Sequence, residues 1–455
     1  MKKSSLPATT FAGCLLLTGA AAFAAATNLP SPLGRPLAMA DCLDLALQKN
    51  SAVLKSQADL EAVHGVIVQT RAIAQPKVRL VSEFSAVDGD SIETVPASGT
   101  TVSFGAEERW TAEVRITQSI YEGGRINSAL RSARLTKQQS LLNHQTVIAN
   151  TLLDVRVAYY GVLLAAQQII VQEAAVNLRQ SEVEDATRRF NAGTSKRFNV
   201  LRAEVEVANV KPRLIRARNA HRIGKNNLVN LLGFNLPKEV LEDVPLQLTG
   251  RLDADAYDIA LPDAVARALA NRTELAALRT GIGLREEAII SARSNYKPAV
   301  QLYAGYGGHS SQFVNDLERE VHGWSVGAQM SWNIFDGKLT AGKVRETTAL
   351  RDKSKLETDD VARKIELEVR IAYSTFIEAR EVLETQKKVQ EQAEEALRQV
   401  NVLYQEGAMG GTQLDVLNAQ TALTEARTTQ IQALHDYDVA RARLERAVGP
   451  APAGK

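Results

Sequence analysis

Cysteine is almost absent from the 455-residue chain, which has only Cys14 and Cys42. Cys14 lies in an N-terminal segment whose positive start and apolar stretch at 11–26 are typical of a secretory signal peptide, predicted over 1–26. Cys42 is then the one cysteine of the exported chain, which excludes an intramolecular disulfide. Lipidation of Cys14 stays open as an alternative, although the apolar run continues well past it.

A strong charge of either sign is also missing. The 54 Lys and Arg residues nearly balance the 52 Asp and Glu residues, for a net charge of +2, so no nucleic-acid partner is predicted. The six histidines lack helical metal-ligand spacing, and no catalytic Ser/His/Asp set, phosphate-binding loop or dinucleotide motif is present. The sequence therefore predicts no enzymatic activity, no metal site and no cofactor. Beyond the N-terminal segment, no apolar run predicts a transmembrane helix.

Proline is absent from two long stretches, 125–189 and 338–405, and each stretch has a single glycine. Both are rich in Ala, Leu, Gln, Glu and Arg, which favour helix. A helix of about 65 residues is a rod of roughly 100 Å, at about 1.5 Å per residue. No compact domain of ordinary size contains such a rod, so the pattern favours a duct, a stalk or a coiled coil.

The two halves of the chain are related by an internal duplication. The segment 119–123 (SIYEG) matches 333–337 (NIFDG) at an offset of 214, and 199–203 (NVLRA) matches 415–419 (DVLNA) at 216. Each half predicts a helix, two strands, a long helix and a return helix. The predicted bounds are 38–75, 77–87, 109–121, 125–190 and 197–233 in the first repeat (27–250), and 262–297, 299–306, 324–335, 338–405 and 413–448 in the second repeat (251–449), before a tail at 450–455.

The predicted strands alternate between apolar and polar side chains, which is compatible with an amphipathic sheet over a soluble core. A membrane barrel is favoured because about ten residues is the length that a tilted strand needs to cross a bilayer. Aromatic residues also lie near both ends of these strands, as in the girdles of outer-membrane barrels. The predicted girdle consists of Trp110, Trp324, Trp332, Tyr121 and Phe335.

Four strands are too few to close a barrel, for which about eight is the practical minimum. An open sheet in lipid would leave the polar groups of its edges unsatisfied. The sequence therefore predicts an oligomer, and a cyclic trimer would supply twelve strands.

These features resemble the TolC-like outer-membrane efflux proteins over nearly the whole mature chain. The resemblance is carried by the duplicated order of elements and by four segments: 118–125 (QSIYEGGR), 190–194 (FNAGT), 404–407 (YQEG) and 414–420 (LDVLNAQ). It implies a mainly α fold with a small β part. A homotrimer would form a twelve-stranded β-barrel among outer-membrane lipids, continuous with a twelve-helix α-barrel in the periplasm. Short helices would stack end to end to match each long one.

The resemblance also implies functional residues. The helix turns farthest from the membrane would dock onto a periplasmic adaptor protein that connects to an inner-membrane pump. Asp415, Asn418 and Tyr404 would belong to a gate, which Arg188 and Arg189 could join. Asp415 has a second interpretation, because Thr412 three residues earlier predicts a capping box. The predicted docking residues are Gly193, Thr194 and Ser195 in the first turn, and Gly407, Ala408, Met409 and Gly410 in the second, which departs from the family pattern by being two residues longer.

Three functions are compatible with this pattern. The leading prediction is a passive exit duct for small-molecule efflux across the periplasm and outer membrane. The second is the outer-membrane duct of a type I protein secretion system. The third is an exported coiled-coil protein without a pore, and the alternating strands argue against it.

Overall fold

The computed structural model describes residues 35–92, 94–97, 99–103, 107–235, 243–310, 321–406 and 412–449. The predicted signal peptide, the C-terminal tail and the predicted docking residues Gly407 to Gly410 lie outside these ranges. The described residues form eight α-helices and six strands. The helices are α1 Met39–Lys49, α2 Ser51–Arg71, α3 Arg125–Asn191, α4 Arg197–Leu231, α5 Leu261–Asn271, α6 Thr273–Arg293, α7 Leu339–Gln405 and α8 Gln413–Val448, and the strands are β1 Lys77–Ala86, β2 Thr94–Ala97, β3 Thr100–Ser103, β4 Glu108–Glu122, β5 Ala299–Ser310 and β6 Val321–Ser331.

The first helix of each repeat differs from the sequence prediction. The predicted helix 38–75 is divided at Asn50 into α1 and α2, and the predicted helix 262–297 is divided at Arg272 into α5 and α6. Both residues have extended backbone (φ −61°, ψ 130° and φ −66°, ψ 123°), which interrupts the helical hydrogen bonding. A single turn of 3₁₀-helix, 72–74 or 294–296, follows α2 or α6.

Strand β6 also differs, because it ends at Ser331 rather than at 335. Trp332 and Phe335 therefore lie beyond the strand. The indole Nε1 of Trp332 donates to the carbonyl of Tyr296 at 3.1 Å, which holds it against the turn that precedes β5. Strand β5 extends to Ser310, four residues past its predicted end.

Strands β1, β4, β5 and β6 form an antiparallel sheet in the order β1-β4-β5-β6, which combines both repeats. Strands β4 and β5 meet at its centre, with Val114 opposite Tyr306. Within the described residues, β1 and β6 have a paired strand on one side only. Strands β2 and β3 form a separate hairpin between β1 and β4.

The helices form a layer in which α3 and α7 run the full length. In one half of the layer, α3 packs between α4 and α8, and α7 packs against α8. In the other half, α3 packs between α2 and α6, and α6 also packs against α7. In each of the pairs α2/α4 and α6/α8, the two shorter helices are thus stacked end to end alongside a long helix.

The first junction, between α2 and α4, is centred on Asn50, which is 6% exposed. Its Oδ1 accepts from the backbone amide of Ala52 at 2.8 Å and caps α2, while its Nδ2 donates to the carbonyl of Leu231 at 2.6 Å and caps α4. Gly233, with φ +77°, then turns the backbone after α4 close past Lys49, at the end of α1. A Cβ at Gly233 would lie 2.1 Å from the carbonyl oxygen of Lys49, so only glycine fits.

The second junction, between α6 and α8, is centred on Arg272, which is also 6% exposed. Its guanidinium donates to Glu274 at 3.1 Å, to Glu368 of α7 at 2.8 Å and to the carbonyl of Ala447 at 3.4 Å. Arg446 of α8 also pairs with Glu274 and Glu368. Burial would raise the pKa of Glu274, but the hydrogen bonds and positive charge of Arg272, with Arg446, lower it to about 2.

Two apolar cores lie beside these junctions. One packs α1 against α3 and α4 around Tyr159 and Leu228, and the other packs α5 against α7 and α8 around Phe376 and Tyr437. Among the described helices, α3 alone has a window long and apolar enough to cross a membrane by length and composition. Val155, Tyr159 and Val162 of α3 are buried in the first core, whereas only 28% of the apolar window is buried within the single chain.

Candidate pore wall, gate and docking tips

One face of the four-stranded sheet is apolar and exposed. The register places Leu80, Val114, Tyr306 and Trp324 in one row across the four strands. Trp324 is 78% exposed and Leu80 is 70% exposed. A continuous apolar face of this kind costs free energy in water, whereas it is compatible with lipid.

The opposite face is polar, and its side chains are linked across strands. Glu113 pairs with Arg115 on the same strand, β4, at 2.8 Å, and the guanidinium of Arg115 lies 5.6 Å from the ring centre of Tyr303 on the neighbouring strand β5. Glycine makes room for this arrangement, because a Cβ at Gly327 would lie 2.4 Å from the Tyr303 hydroxyl oxygen. Tyr303 therefore lies along the sheet rather than projecting away from it. This face suits a water-filled lumen.

The predicted girdle residues divide into two groups. Trp110 faces Phe84 across β1 and β4, and Trp324 faces Tyr306 across β5 and β6, so both tryptophans lie on the apolar face. Tyr121 lies at the other end of β4, just past a register shift between Ser119 and Tyr121. Trp332 and Phe335 lie beyond the end of β6, and Phe335 is 84% exposed.

The first tip, residues 192–196, ends α3 in a Schellman motif. The amide of Gly193 donates to the carbonyl of Phe190 and the amide of Thr194 to that of Arg189, both at 2.9 Å. Gly193 has φ +72°, which a residue with a Cβ adopts only with strain. The Thr194 hydroxyl also donates to Arg189, and Ser195 accepts from Asn199 at 3.0 Å. Four hydrogen bonds thus fix a turn that protrudes into solvent.

The second tip connects α7 with α8, and residues 407–411 lie outside the described part of the chain. Its α8 side is well defined. The Asp415 carboxylate accepts from the amide of Thr412 at 2.9 Å, and the Thr412 hydroxyl accepts from the amide of Asp415 at 3.3 Å. The Thr412 hydroxyl also donates to the Asp415 carboxylate, and this bond, together with the one from the Thr412 amide, lowers the pKa of Asp415. The predicted capping box is confirmed. Asn418, one turn further along α8, is exposed.

The predicted gate residues are brought together in part. Arg189 at the end of α3 donates to the hydroxyl of Tyr404 at the end of α7 at 3.3 Å, which links the two long helices within one chain. Arg188 instead pairs with Asp185 on its own helix. Tyr404 and Asp415 lie on either side of the second tip, and no bond between them occurs among the described residues.

Arg179 is a residue that sequence reasoning missed. It is 6% exposed, and its guanidinium donates to Glu182 on α3 and to Gln420 and Thr421 on α8. It therefore joins the first repeat to the second about three turns above the first tip. Because its partners on α8 are more than 240 positions away, the only local signal was a charged residue among the apolar positions of α3.

Among the described residues, no group of three or more His, Cys, Asp or Glu side chains could hold a metal ion. Cys42 is buried in the first core, and burial raises the pKa of its thiol to about 11, so it is inert.

Comparison with known proteins gives a consistent result. The model of the outer membrane efflux protein family matches residues 42–234 and 264–450, one match for each repeat. The solved structure of the Campylobacter jejuni CmeC outer membrane channel shares the fold with a TM-score of 0.76, at 14% identity over 90% of this chain and 85% of that chain.

Two curated relatives match different shares of this chain. The cobalt-zinc-cadmium resistance protein CzcC of Cupriavidus metallidurans is 23% identical over 92% of both chains. The alkaline protease secretion protein AprF of Pseudomonas aeruginosa is 27% identical over 64% of this chain, and the match spans 60% of that relative. The relatives are channel and export proteins rather than enzymes. The chain thus belongs to the outer membrane efflux protein family, as an efflux channel of the outer membrane that extends into the periplasm.

Proposed function

We propose that three copies of this chain form a passive exit duct that carries small molecules across the periplasm and outer membrane. The observation that carries the proposal is the four-stranded sheet, which has an exposed apolar face, a polar face and, among the described residues, an unpaired edge on each side. Three such sheets close into a twelve-stranded barrel, with the apolar face toward lipid and the polar face toward water.

The internal duplication supports a specific interface between copies. Within one chain, α3 packs against α8 and Arg179 contacts Thr421. The equivalent positions, at offsets of 214 and 216, are Ala393 on α7 and Val205 on α4, so α7 of one copy should pack against α4 of the next. Val205 is 56% exposed in the single chain and lies on a stripe with Leu201 and Phe198.

Cross-linking tests this assembly. A chain carrying both Val205→Cys and Ala393→Cys should form covalent trimers with a short bismaleimide in membranes, because each copy offers one cysteine to each neighbour. The single-cysteine variants are the controls, and buried Cys42 should stay unreactive. Monomers alone from the double variant, or a native chain that is a soluble monomer without detergent, would remove the trimeric duct.

The first tip is proposed to dock onto a periplasmic adaptor that connects to an inner-membrane pump. Its protruding turn exposes Gly193, at which an added Cβ would meet no atom within 4 Å. Gly193→Trp adds bulk as well as backbone strain, whereas Gly193→Ala adds the strain with little bulk. We expect the Trp variant to lose efflux with trimer and membrane insertion intact, and the Ala variant to retain most of it. Equal efflux by both variants would exclude this tip from docking. The predicted second docking turn, Gly407, Ala408, Met409 and Gly410, is proposed for the same role.

Asp415, Asn418 and Tyr404 are proposed to line the periplasmic gate. Three copies of Asp415 would form a carboxylate ring that favours cations. Asp415→Asn removes the charge while keeping an oxygen that can cap α8. The matched control is Asp41→Asn, because Asp41 accepts from the amide of Ala38 at 3.0 Å in the same way at the start of α1. Cation selectivity in planar bilayers should fall only in the Asp415 variant. Equal selectivity of both variants would leave Asp415 as a cap alone.

Protein secretion is the second candidate function. It is favoured by the 27% identity to a relative named for secretion of alkaline protease, whereas the relative matched over 92% of its length is named for metal resistance. Deletion of the gene separates the two. Sensitivity to small toxic solutes with an unchanged set of secreted proteins supports efflux, and loss of a secreted protein with unchanged sensitivity supports secretion.

A further inference from the structure

The segment 250–257, here named the linker strap, connects the first repeat to the second across the helical layer. The amide of Gly250 donates to the hydroxyl of Tyr159 on α3 at 3.0 Å. The carbonyl of Asp255 accepts from the hydroxyl of Tyr437 on α8 at 2.8 Å. Tyr257 packs edge-on against Phe376 of α7, with ring centres 5.9 Å apart. The strap is therefore fastened to both cores.

A carboxylic acid is buried under this strap. Asp438 of α8 is 4% exposed, and its Oδ2 has no hydrogen-bond partner in the part of the chain that the structure describes. A buried carboxylate without full hydrogen bonding is costly when it is ionised, whereas the protonated acid is tolerated far better. The packing of Asp438 therefore favours the neutral form.

The charges around Asp438 do not offset this cost. The nearest cation on α8, Arg441, is shared with Glu445 at 3.0 Å and with Asp255 of the strap at 3.3 Å. Arg156 of α3 is paired with Glu445 at 2.7 Å. The titratable and charged groups that face Asp438 are Asp253 and Asp255 on the strap, Arg441 and Glu445 on α8, and Tyr160 and Arg156 on α3.

Burial raises the pKa of Asp438 from 3.8 to about 7. Arg441 opposes the increase, as does a backbone hydrogen bond from Asp253, whereas the carboxylates of Asp255 and Asp253 add to it. An acid with a raised pKa stabilises the state that buries it at low pH, and this stabilisation is lost as the pH rises from about 4 to about 7.

We propose that Asp438 is a proton-dependent latch for the linker strap. With the acid protonated, the strap lies docked on α3 and α8. When the acid ionises, repulsion from Asp253 and Asp255 and the need for water at the buried carboxylate loosen the strap. The protonation state of Asp438 thus determines how stably the strap connects the two repeats. This stability is distinct from conduction through the duct.

Hydrogen exchange of the purified, detergent-solubilised native oligomer tests the latch. Protection of the strap peptide, normalised to the adjoining segment Val244–Thr249, should rise about tenfold from pH 8 to pH 6, since the acid is mainly ionised at the first pH and mainly protonated at the second. Asp438→Asn keeps the shape but cannot ionise, so its strap should be equally protected at both pH values.

Two further variants test whether the pH response belongs to Asp438 itself. Asp436→Asn changes an exposed carboxylate on the same helix and should keep the native pH response. Tyr437→Phe removes one fastening and should speed strap exchange at both pH values while keeping the ratio between them. The latch is overturned if the native strap shows no pH response, or if Asp438→Asn retains the native response in a correctly assembled protein.

Discussion

The two junctions perform one task with different chemistry. At the first junction, a single neutral amide, Asn50, caps two stacked helices. At the second, Arg272 donates to the carbonyl of Ala447 at the end of α8, within a network that includes Glu274, Glu368 and Arg446, and its side chain does not cap α6. The first depends on close backbone packing around Gly233, whereas Gly449, the equivalent glycine, has no neighbour nearer than 3.7 Å to an added Cβ. The two repeats thus stack their helices in the same way but stabilise the junctions with different interactions. The two junctions should therefore open under different conditions.

The largest difference is expected for the two glycines. Gly233→Ala combines the strain of a left-handed backbone with a clash against the Lys49 carbonyl. The free energy needed to open the helix ends at the first junction should therefore fall by about 3–5 kcal/mol. Gly449→Ala adds backbone strain at φ +86° but only ordinary van der Waals contacts, so it should cost the second junction about 1–3 kcal/mol. Native-state hydrogen exchange of peptides covering each junction measures both. Equal losses would mean that backbone proximity does not distinguish the junctions.

Removal of Arg272 should have the next largest effect. Arg272→Met leaves two carboxylates with Arg446 as their remaining partner, so we expect about 2–4 kcal/mol less opening free energy at the second junction. Arg272→Lys should restore little, because an ammonium group cannot reproduce the forked bonds to Glu274 and Glu368. The peptide covering Asn50 is the internal control. Full recovery with lysine would show that charge alone holds the junction.

Acid should weaken the second junction selectively. The lowered pKa of Glu274 means that its stabilising contribution is complete above about pH 4.5 and is lost as the pH falls toward 2. The loss should be on the order of 2–3 kcal/mol. Hydrogen exchange at pH 3 and pH 6, corrected for the intrinsic rate, should show faster opening at the start of α6 than at the start of α2. An equal response of both helices would contradict the ionic explanation.

The smallest effect is expected at Asn50. Asn50→Ala removes the cap of α2 and the bond to Leu231, at a cost of about 1–2 kcal/mol to the first junction. Asn50→Ser keeps a capping oxygen and should cost about half as much. Exchange rates at the starts of α2 and α6 give the measurement, with α6 unchanged. If the serine variant destabilises the first junction as much as the alanine variant, the whole effect comes from the bond with Leu231.

The elements that the sequence predicted well are those with local causes. The long helices follow from the absence of proline, and the capping box of Asp415 follows from a threonine three residues earlier. The strand pattern predicted which side chains share a face, since the alternation itself imposes it.

The elements that it missed depend on distant partners. The break at Asn50 contains neither proline nor glycine, and Leu231 lies 181 positions away. Arg272 is likewise bonded to Ala447 at a separation of 175. The contacts of Arg189 with Tyr404 and of Arg179 with α8 also arise only when the two repeats pack together. Just past the end of β6, the bond of Trp332 to Tyr296 likewise joins residues 36 positions apart.

The two open edges of the sheet determine how assembly must proceed. In the proposed trimer, each copy added to the growing ring covers one edge and exposes another, so a pair of chains has as many unsatisfied strand edges as one chain. Only closure of the ring removes them, which makes partial rings unstable in lipid and assembly strongly cooperative. A chain outside the proposed ring keeps an unpaired strand edge and an exposed apolar face among the described residues, and both features favour aggregation in water.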